Sequence, residues 1–196
     1  MSERTGPPSA RPSDAATLVL LRDGVAGLEV WLMRRATTMA FAAGFVVFPG
    51  GRAEPGDTSL EHTAAREAAE ECGVEVDPGE LLPWARWITP EGEPRRYDTR
   101  FYVAGLPAGQ DAEARGTEAV EAWWSTPARA VADWEARTHL LMPPTAVTLR
   151  QLATYATVAD VLEAAPPQMP GPLEPELVVD GDRVRIVLPG GLEVVW

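Results

Sequence analysis

At 196 residues the chain is long enough for one domain with a substantial buried core. Its formal charge of −12 argues against a general binder of nucleic-acid polymers, which need a basic surface, but leaves room for a small phosphorylated ligand at a local cationic site. All 17 basic residues are arginine, which excludes lysine Schiff-base chemistry and a lysine-dependent phosphate loop. The opening MSERTGPPSARPSDAA, rich in Pro, Ser and Gly, predicts a disordered leader over residues 1–14 and lacks the marks of a secretory signal. No apolar run approaches the roughly 18 residues of a membrane span, and a single cysteine, Cys72, allows no internal disulfide. A cytoplasmic protein with no membrane partner is therefore expected.

The stretch ATLVLLRDGVAGLEVWLMRR predicts two strands around the turn-forming DGVAG, and GFVVFPGG a third strand ending in a glycine turn. A helix follows over 59–72, with Ser59 as N-cap and Gly73 as stop. Along it Leu60, Ala64, Ala68 and Cys72 form an apolar line. WARWITP and RYDTRFYVAGL predict two more strands, and EAVEAWWSTP another, followed by a helix over 127–137. PPTAVTLRQLATYATVADVLEAA predicts one long or broken helix, with Pro144 in its first turn. The Pro-rich PPQMPGPLEP then leads into ELVVDGDRVRIVLPGGLEVVW, where Asp-Gly between apolar runs predicts a hairpin. Strands and helices mix without strict βα alternation, so an α/β layered fold with a mixed sheet is expected. The main domain is placed at 15–165, with the connector and hairpin of 166–196 packed on it.

Chemistry concentrates in REAAEECG. Glu67, Glu70 and Glu71 crowd one helix at spacings where like charges repel by a few tenths of a kcal/mol per pair. Just upstream, FPGGRAEPGD adds Glu54 and Asp57, and Gly50–Gly51 lets backbone approach a ligand closely. Hard carboxylate oxygens of this kind suit Mg²⁺ or Mn²⁺ and not zinc. Arg66 stands four residues before Glu70 and can orient a carboxylate. With no Ser–His or Cys–His pairing, the reading is phosphoryl or pyrophosphate chemistry: divalent cations shield the phosphates and activate water, and a carboxylate accepts its proton.

GGRAEPGDTSLEHTAAREAAEECGV resembles the signature of the Nudix hydrolases, G-x5-E-x7-R-E-U-x-E-E-x-G-U with U apolar. Every defined position from Arg66 to Val74 matches. Upstream, Asp57 replaces the first Glu, and eight residues separate it from Arg66. The resemblance implies a Nudix α/β/α sandwich that is a pyrophosphohydrolase of nucleoside diphosphates linked to another group, using Mg²⁺ or Mn²⁺. It implies Glu67, Glu70, Glu71 and the Gly50 carbonyl as metal ligands, with Glu70 or Glu71 as base and Arg66 as orienting partner. Asp57, Glu54, Glu118 and Glu121 are candidates for a further acid. A homodimer is a family-level expectation.

WLMRRATTMAFAAGFVVFPGG resembles in part the upstream pattern of coenzyme A pyrophosphatases: Leu32, Arg35, Ala36, Gly44 and FPGG match, whereas Ala40 stands where an arginine is expected. WARWITPEGEPRRYDTRFYVAGLP and LMPPTAVTLRQLA extend a resemblance to the branch of the mammalian peroxisomal coenzyme A and acyl-coenzyme A diphosphatase. It implies coenzyme A or its acyl esters as substrate, the alternatives being ADP-ribose or NADH hydrolysis and, in a different class, a non-catalytic nucleotide sensor. Arg35, Arg95, Arg96 and Arg100 are candidates for substrate phosphates, although arginines on a strand also pair with acids. Cys72, on the apolar line, reads as a small core residue. His62 and His139 read as structural or surface residues, and Trp84, Trp87, Trp123 and Trp124 as packing.

Overall fold

The computed structural model describes residues 11–37, 42–117, 119–180, 183–187 and 193–195. Strand β1 (Ser13–Gly24) lies at the centre of a mixed sheet. It runs antiparallel to β2 (Gly27–Arg35), and the hairpin turn between them has Gly27 at φ 104, open to glycine at little cost. On the other side it pairs in parallel with β6 (Tyr97–Gly105), which pairs with the edge strand β5 (Leu82–Ile88). Beyond β2 come β3 (Phe45–Val47) and the short β8 (Leu140–Leu141); β7 (Ala119–Ser125) also pairs with β2, and β4 (Gly50–Arg52) with the first half of β1.

Both faces of this sheet are covered, and the strand period sorts the side chains. Leu18, Leu20, Trp31, Met33 and Tyr102 face α1 (Leu60–Cys72), meeting its buried Ala64, Ala68 and Cys72. Val19, Leu21, Val30, Leu32 and Val103 face the opposite layer. That layer comprises α2 (Pro127–Glu135), α3 (Pro143–Leu152) and α4 (Val158–Ala164), which contribute Ala130, Leu149 and Val161. The α/β sandwich with a mixed sheet is thus the architecture. No helix among the described residues is long and apolar enough to cross a membrane.

Two details depart from the sequence expectations, and the break in the long helix decides between the two forms expected of it. The glycine turn at 50–52 is itself a strand, because its backbone completes a ladder with Ala15, Ala16 and Thr17. The long helix is broken between α3 and α4, where Thr157 and Asp160 form a reciprocal capping box that starts a new helix. The terminal hairpin is part of a three-stranded sheet of β9 (Glu176–Asp180), β10 (Arg183–Val187) and β11 (Glu193–Val195). Residues 1–10, most of the leader, lie outside the described residues, as do Ala40 and Glu118.

Candidate active site

Helix α1 carries the acidic cluster, and local chemistry fixes both its ends. Ser59 accepts the His62 backbone N–H at 3.2 Å, satisfying a first-turn donor, and Gly73 at φ 69 supplies the left-handed C-cap. The alanine line buries against β1, and Glu70 is turned outward. Cys72 is fully buried, and burial pushes its thiol up to about 12, which suits a core residue and not a nucleophile.

Asp57 anchors the entrance to the helix. Its side chain is 4% exposed, and its two oxygens each accept a hydrogen bond at 3.1 Å from Arg66, one from Nε and one from Nη2. Oδ2 also accepts from Thr63 Oγ1 and from the Glu54 backbone N–H, both at 2.9 Å. The paired guanidinium and these donors hold the Asp57 carboxyl well below the usual carboxylate range, and the same pairing raises Arg66. The shorter acid and the extra loop residue therefore end in a closed bidentate pair. Arg66 carries the order onward: Nη1 reaches Glu67 at 2.9 Å and Glu70 at 3.1 Å, and Nη2 donates to the Arg52 carbonyl at 3.2 Å.

Under the helix, β4 brings backbone against two of the carboxylates. The Gly50 N–H donates to Glu71 Oε2 at 2.8 Å, and Glu71 is buried. A Cβ on Gly51 would lie 2.3 Å from Glu67 Oε1, so only glycine leaves room for that carboxylate. Glu67 is 14% exposed at its side chain, whereas Glu70 is 59% exposed.

Gly50, Gly51, Glu54 and Glu67 open into a cleft of about 570 Å³. Its floor is the sheet at Ala15, Thr17, Thr99 and Phe101; Arg35, Arg52 and Arg95 bring positive charge to its walls. Arg96 and Arg100 are not among its lining residues. Arg96 is buried, donates to the Thr89 carbonyl at 2.9 Å and pairs with Glu174. Arg100 pairs with Asp14 at 2.5 Å and Asp98 at 3.4 Å. Glu121 pairs with Arg34 at 3.3 Å on β7, also away from the lining. The tryptophans pack in edge-to-face or cation–π contacts: Trp84 with Tyr155, Trp124 with Trp31 and Arg22, and Trp123 beside His139. Trp87 is buried in the core and also borders the cleft. Sequence reasoning missed Arg52, Trp87 and the prolines of the cleft wall, none of which carries a spacing signal.

The donors that Glu67, Glu70 and Glu71 offer are carboxylate oxygens, which suit a hard dication; the imidazole of the helix, His62, lies instead 3.9 Å from Asp57. Among the described residues no three His, Cys, Asp or Glu side chains are grouped closely enough to enclose an ion, and the Arg66 guanidinium lies between Glu67 and Glu70 as their charge partner. Glu67, Glu70 and Glu71 are the residues that would hold such an ion, with Arg66 as their alternative counter-charge.

Comparison with known proteins extends the picture. A mitochondrial coenzyme A diphosphatase of Mus musculus is 42% identical over 69 residues, 34% of this chain and 32% of that protein. An acyl-coenzyme A diphosphatase of Homo sapiens is 31% identical over 83 residues, 41% of this chain and 22% of that protein. The matches thus span less than a third of the length of either curated relative. The solved structure of a NUDIX hydrolase from Alicyclobacillus acidocaldarius superposes with a TM-score of 0.72 at 26% identity, over 78% of this chain and 96% of that one. The model of the NUDIX domain matches residues 12–143, two-thirds of the chain and all of the acidic helix with its glycine strand, and the chain belongs to that family.

Proposed function

We propose that this chain hydrolyses the pyrophosphate bond of a nucleoside diphosphate linked to another group, with coenzyme A or acyl-coenzyme A as the foremost substrate. The observation that carries the reading is Glu67 beside the backbone strand of Gly50 and Gly51, in a cleft with Arg35, Arg52 and Arg95 in its walls; Glu70 and Glu71 follow on the same helix, outside the lining. The two coenzyme A diphosphatases among the relatives support the substrate choice.

Nudix hydrolases generally use divalent metal ions. Held by Glu67, Glu70 and Glu71, Mg²⁺ or Mn²⁺ would supply charge neutralisation of the phosphates and a lowered pKa for bound water. The chain's own residues do the rest. Arg66, locked by Asp57, fixes the rotamers of Glu67 and Glu70. Gly50 fixes Glu71 through its N–H. Glu70, the most exposed of the three, can meet water and accepts its proton. Arg35 and Arg95 bind phosphate oxygens of the substrate from the cleft wall.

The test is turnover of coenzyme A, acyl-coenzyme A, NADH and ADP-ribose with Mg²⁺ or Mn²⁺, before and after chelation, with products identified. Glu70→Gln should lower kcat at least about 100-fold without unfolding, as removal of a general base does. Glu67→Gln and Glu71→Gln should instead raise the metal concentration needed for half-maximal rate. Rapid ADP-ribose or NADH cleavage with coenzyme A left intact would overturn the substrate assignment. Tight binding of a nucleotide with no turnover by the unmodified protein would overturn catalysis and favour the sensor.

A further inference from the structure

The cleft is wider than the α1 cluster requires, and the sheet register measures it. Paired residues run in one row across the strands: Arg52 of β4 beside Ala15 of β1, Ala15 beside Thr99 of β6, and Thr99 beside Trp87 of β5. Trp87 then bridges in parallel to Leu173, beyond the edge strand. Leu173 itself is outside the lining; the three inter-strand steps of about 4.8 Å from Arg52 to Trp87, which both line the cleft, span on the order of 14 Å. That exceeds the length of a pyrophosphate, so a substrate that fills the cleft carries a second group.

Its far end is built from residues outside the acidic helix. Trp87, Ile88 and Pro90 come from the end of β5, Met142 and Pro143 from the start of α3, and Pro175 from the connector. Prolines have no N–H to offer a phosphate, and their fixed φ keeps the wall stiff. These residues offer apolar surface, and Thr89, Glu93 and Arg95 from the segment after β5 add polar groups to the same lining.

The connector does not drift past the cleft; it is fastened there. Leu173 N–H donates to the Arg86 carbonyl at 2.7 Å and its carbonyl accepts from Ile88 N–H at 2.9 Å, so it makes a single β-bridge to the β5 edge. Glu174 pairs with the buried Arg96, which is itself held by the Thr89 carbonyl. Pro175, the next residue, is buried and faces the cleft. All three lie beyond residues 12–143, the part shared with the family at large.

We propose that residues 173–175 form a strap that completes the substrate cleft and sets affinity for the apolar group carried beyond the pyrophosphate, with Glu174 as its positioning residue through Arg96. The inference rests on the coenzyme A reading, in which that group is the acyl chain on the pantetheine arm. The same ion pair explains why Arg96 is withdrawn from phosphate binding.

The experiment compares coenzyme A with octanoyl-coenzyme A, which differ only in the apolar group, on the unmodified protein, Pro175→Gly and Glu174→Ala, with Mg²⁺. Circular dichroism melts show that each variant is folded. The strap predicts that KM for the octanoyl ester rises about tenfold while kcat, and KM for coenzyme A, stay within about twofold. Equal losses on both substrates in both folded variants, or no change in either, overturn the strap and leave the coenzyme A reading standing. If the unmodified protein hydrolyses neither compound, the coenzyme A reading fails and the strap falls with it.

Discussion

Gly51→Ala isolates the contact on which the acidic site depends. The added methyl would sit 2.3 Å from Glu67 Oε1, 2.6 Å from Cδ and 2.8 Å from Oε2, where ordinary contacts begin at 3.4 Å. The carboxylate must therefore give way by about 1 Å. It cannot do so independently, because Arg66 Nη1 holds it at 2.9 Å, and Asp57 holds Arg66 by two bonds of 3.1 Å. Relief by side-chain movement should cost about 1–3 kcal/mol of stability, a typical penalty for overpacking. A displacement of about 1 Å in a catalytic group can cost about 100-fold in rate, so activity should fall far more than stability. The assay is kcat on the preferred substrate beside an equilibrium urea melt. Two neighbours calibrate it. Gly50→Ala would push against the Ala16 carbonyl at 2.6 Å and Thr17 Cα at 2.8 Å, backbone atoms that cannot swing aside, so it should damage folding. Gly56 has nothing within 4 Å of the added methyl, so Gly56→Ala should leave both properties near normal. Gly51→Ala with kcat within about threefold of the unmodified protein would refute the view that a fixed Glu67 is needed.

Asp57→Asn removes one charge from the pair with Arg66 and should destabilise by about 1.5–3 kcal/mol at neutral pH, the usual range for hydrogen bonds to a charged group. Because the folded Asp57 titrates below its unfolded value, its contribution is complete above the ordinary carboxylate range and is lost as pH falls toward the folded value. The gap in melting temperature between the two proteins should therefore close as pH drops below about 4; a gap independent of pH would count against the ion pair. Cys72, buried and with its thiol pushed up to about 12, should resist thiol reagents in the native protein at pH 8 and react fully in denaturant. Rapid native labelling accompanied by inactivation would contradict its placement in the core.

The acidic helix was legible because several independent signals coincide on it. Its alanine line, the Ser59 cap, the Gly73 stop and the spacing of the acids all specify the same thirteen-residue element, Leu60–Cys72. What lies beneath it was harder to read. Gly50–Arg52 forms its ladder through backbone, and two glycines offer no side-chain alternation to betray a strand. The arginines at β6 show a related limit. Alternation applies to Arg100 but not to Arg96, which precedes the strand, and it does not tell that their partners wait at Asp14 and Glu174, far away in sequence. Only folding decided that Arg35 and Arg95 line the cleft and that those two do not.

The connector is the furthest from what composition suggests. PPQMPGPLEP has the makeup of a linker, since prolines withhold donors and resist regular structure. Yet β5 is a sheet edge with unpaired backbone groups, and an exposed edge invites pairing with another chain. Leu173, a residue with an N–H to give, answers the Arg86 carbonyl and receives from Ile88, so the linker closes that edge with a single non-proline position. The adjacent prolines then cannot extend the ladder, which turns the chain toward the cleft at Pro175. Edge protection and the far wall of the cleft thus come from the same few residues, and a Leu173→Pro change should remove both at once. Lost bonding at Arg86 and Ile88 would appear as faster amide exchange at Ile88, together with the rise in KM for octanoyl-coenzyme A that follows from a displaced Pro175. Faster exchange without any change in that KM would separate the two roles and confine the connector to protecting the edge.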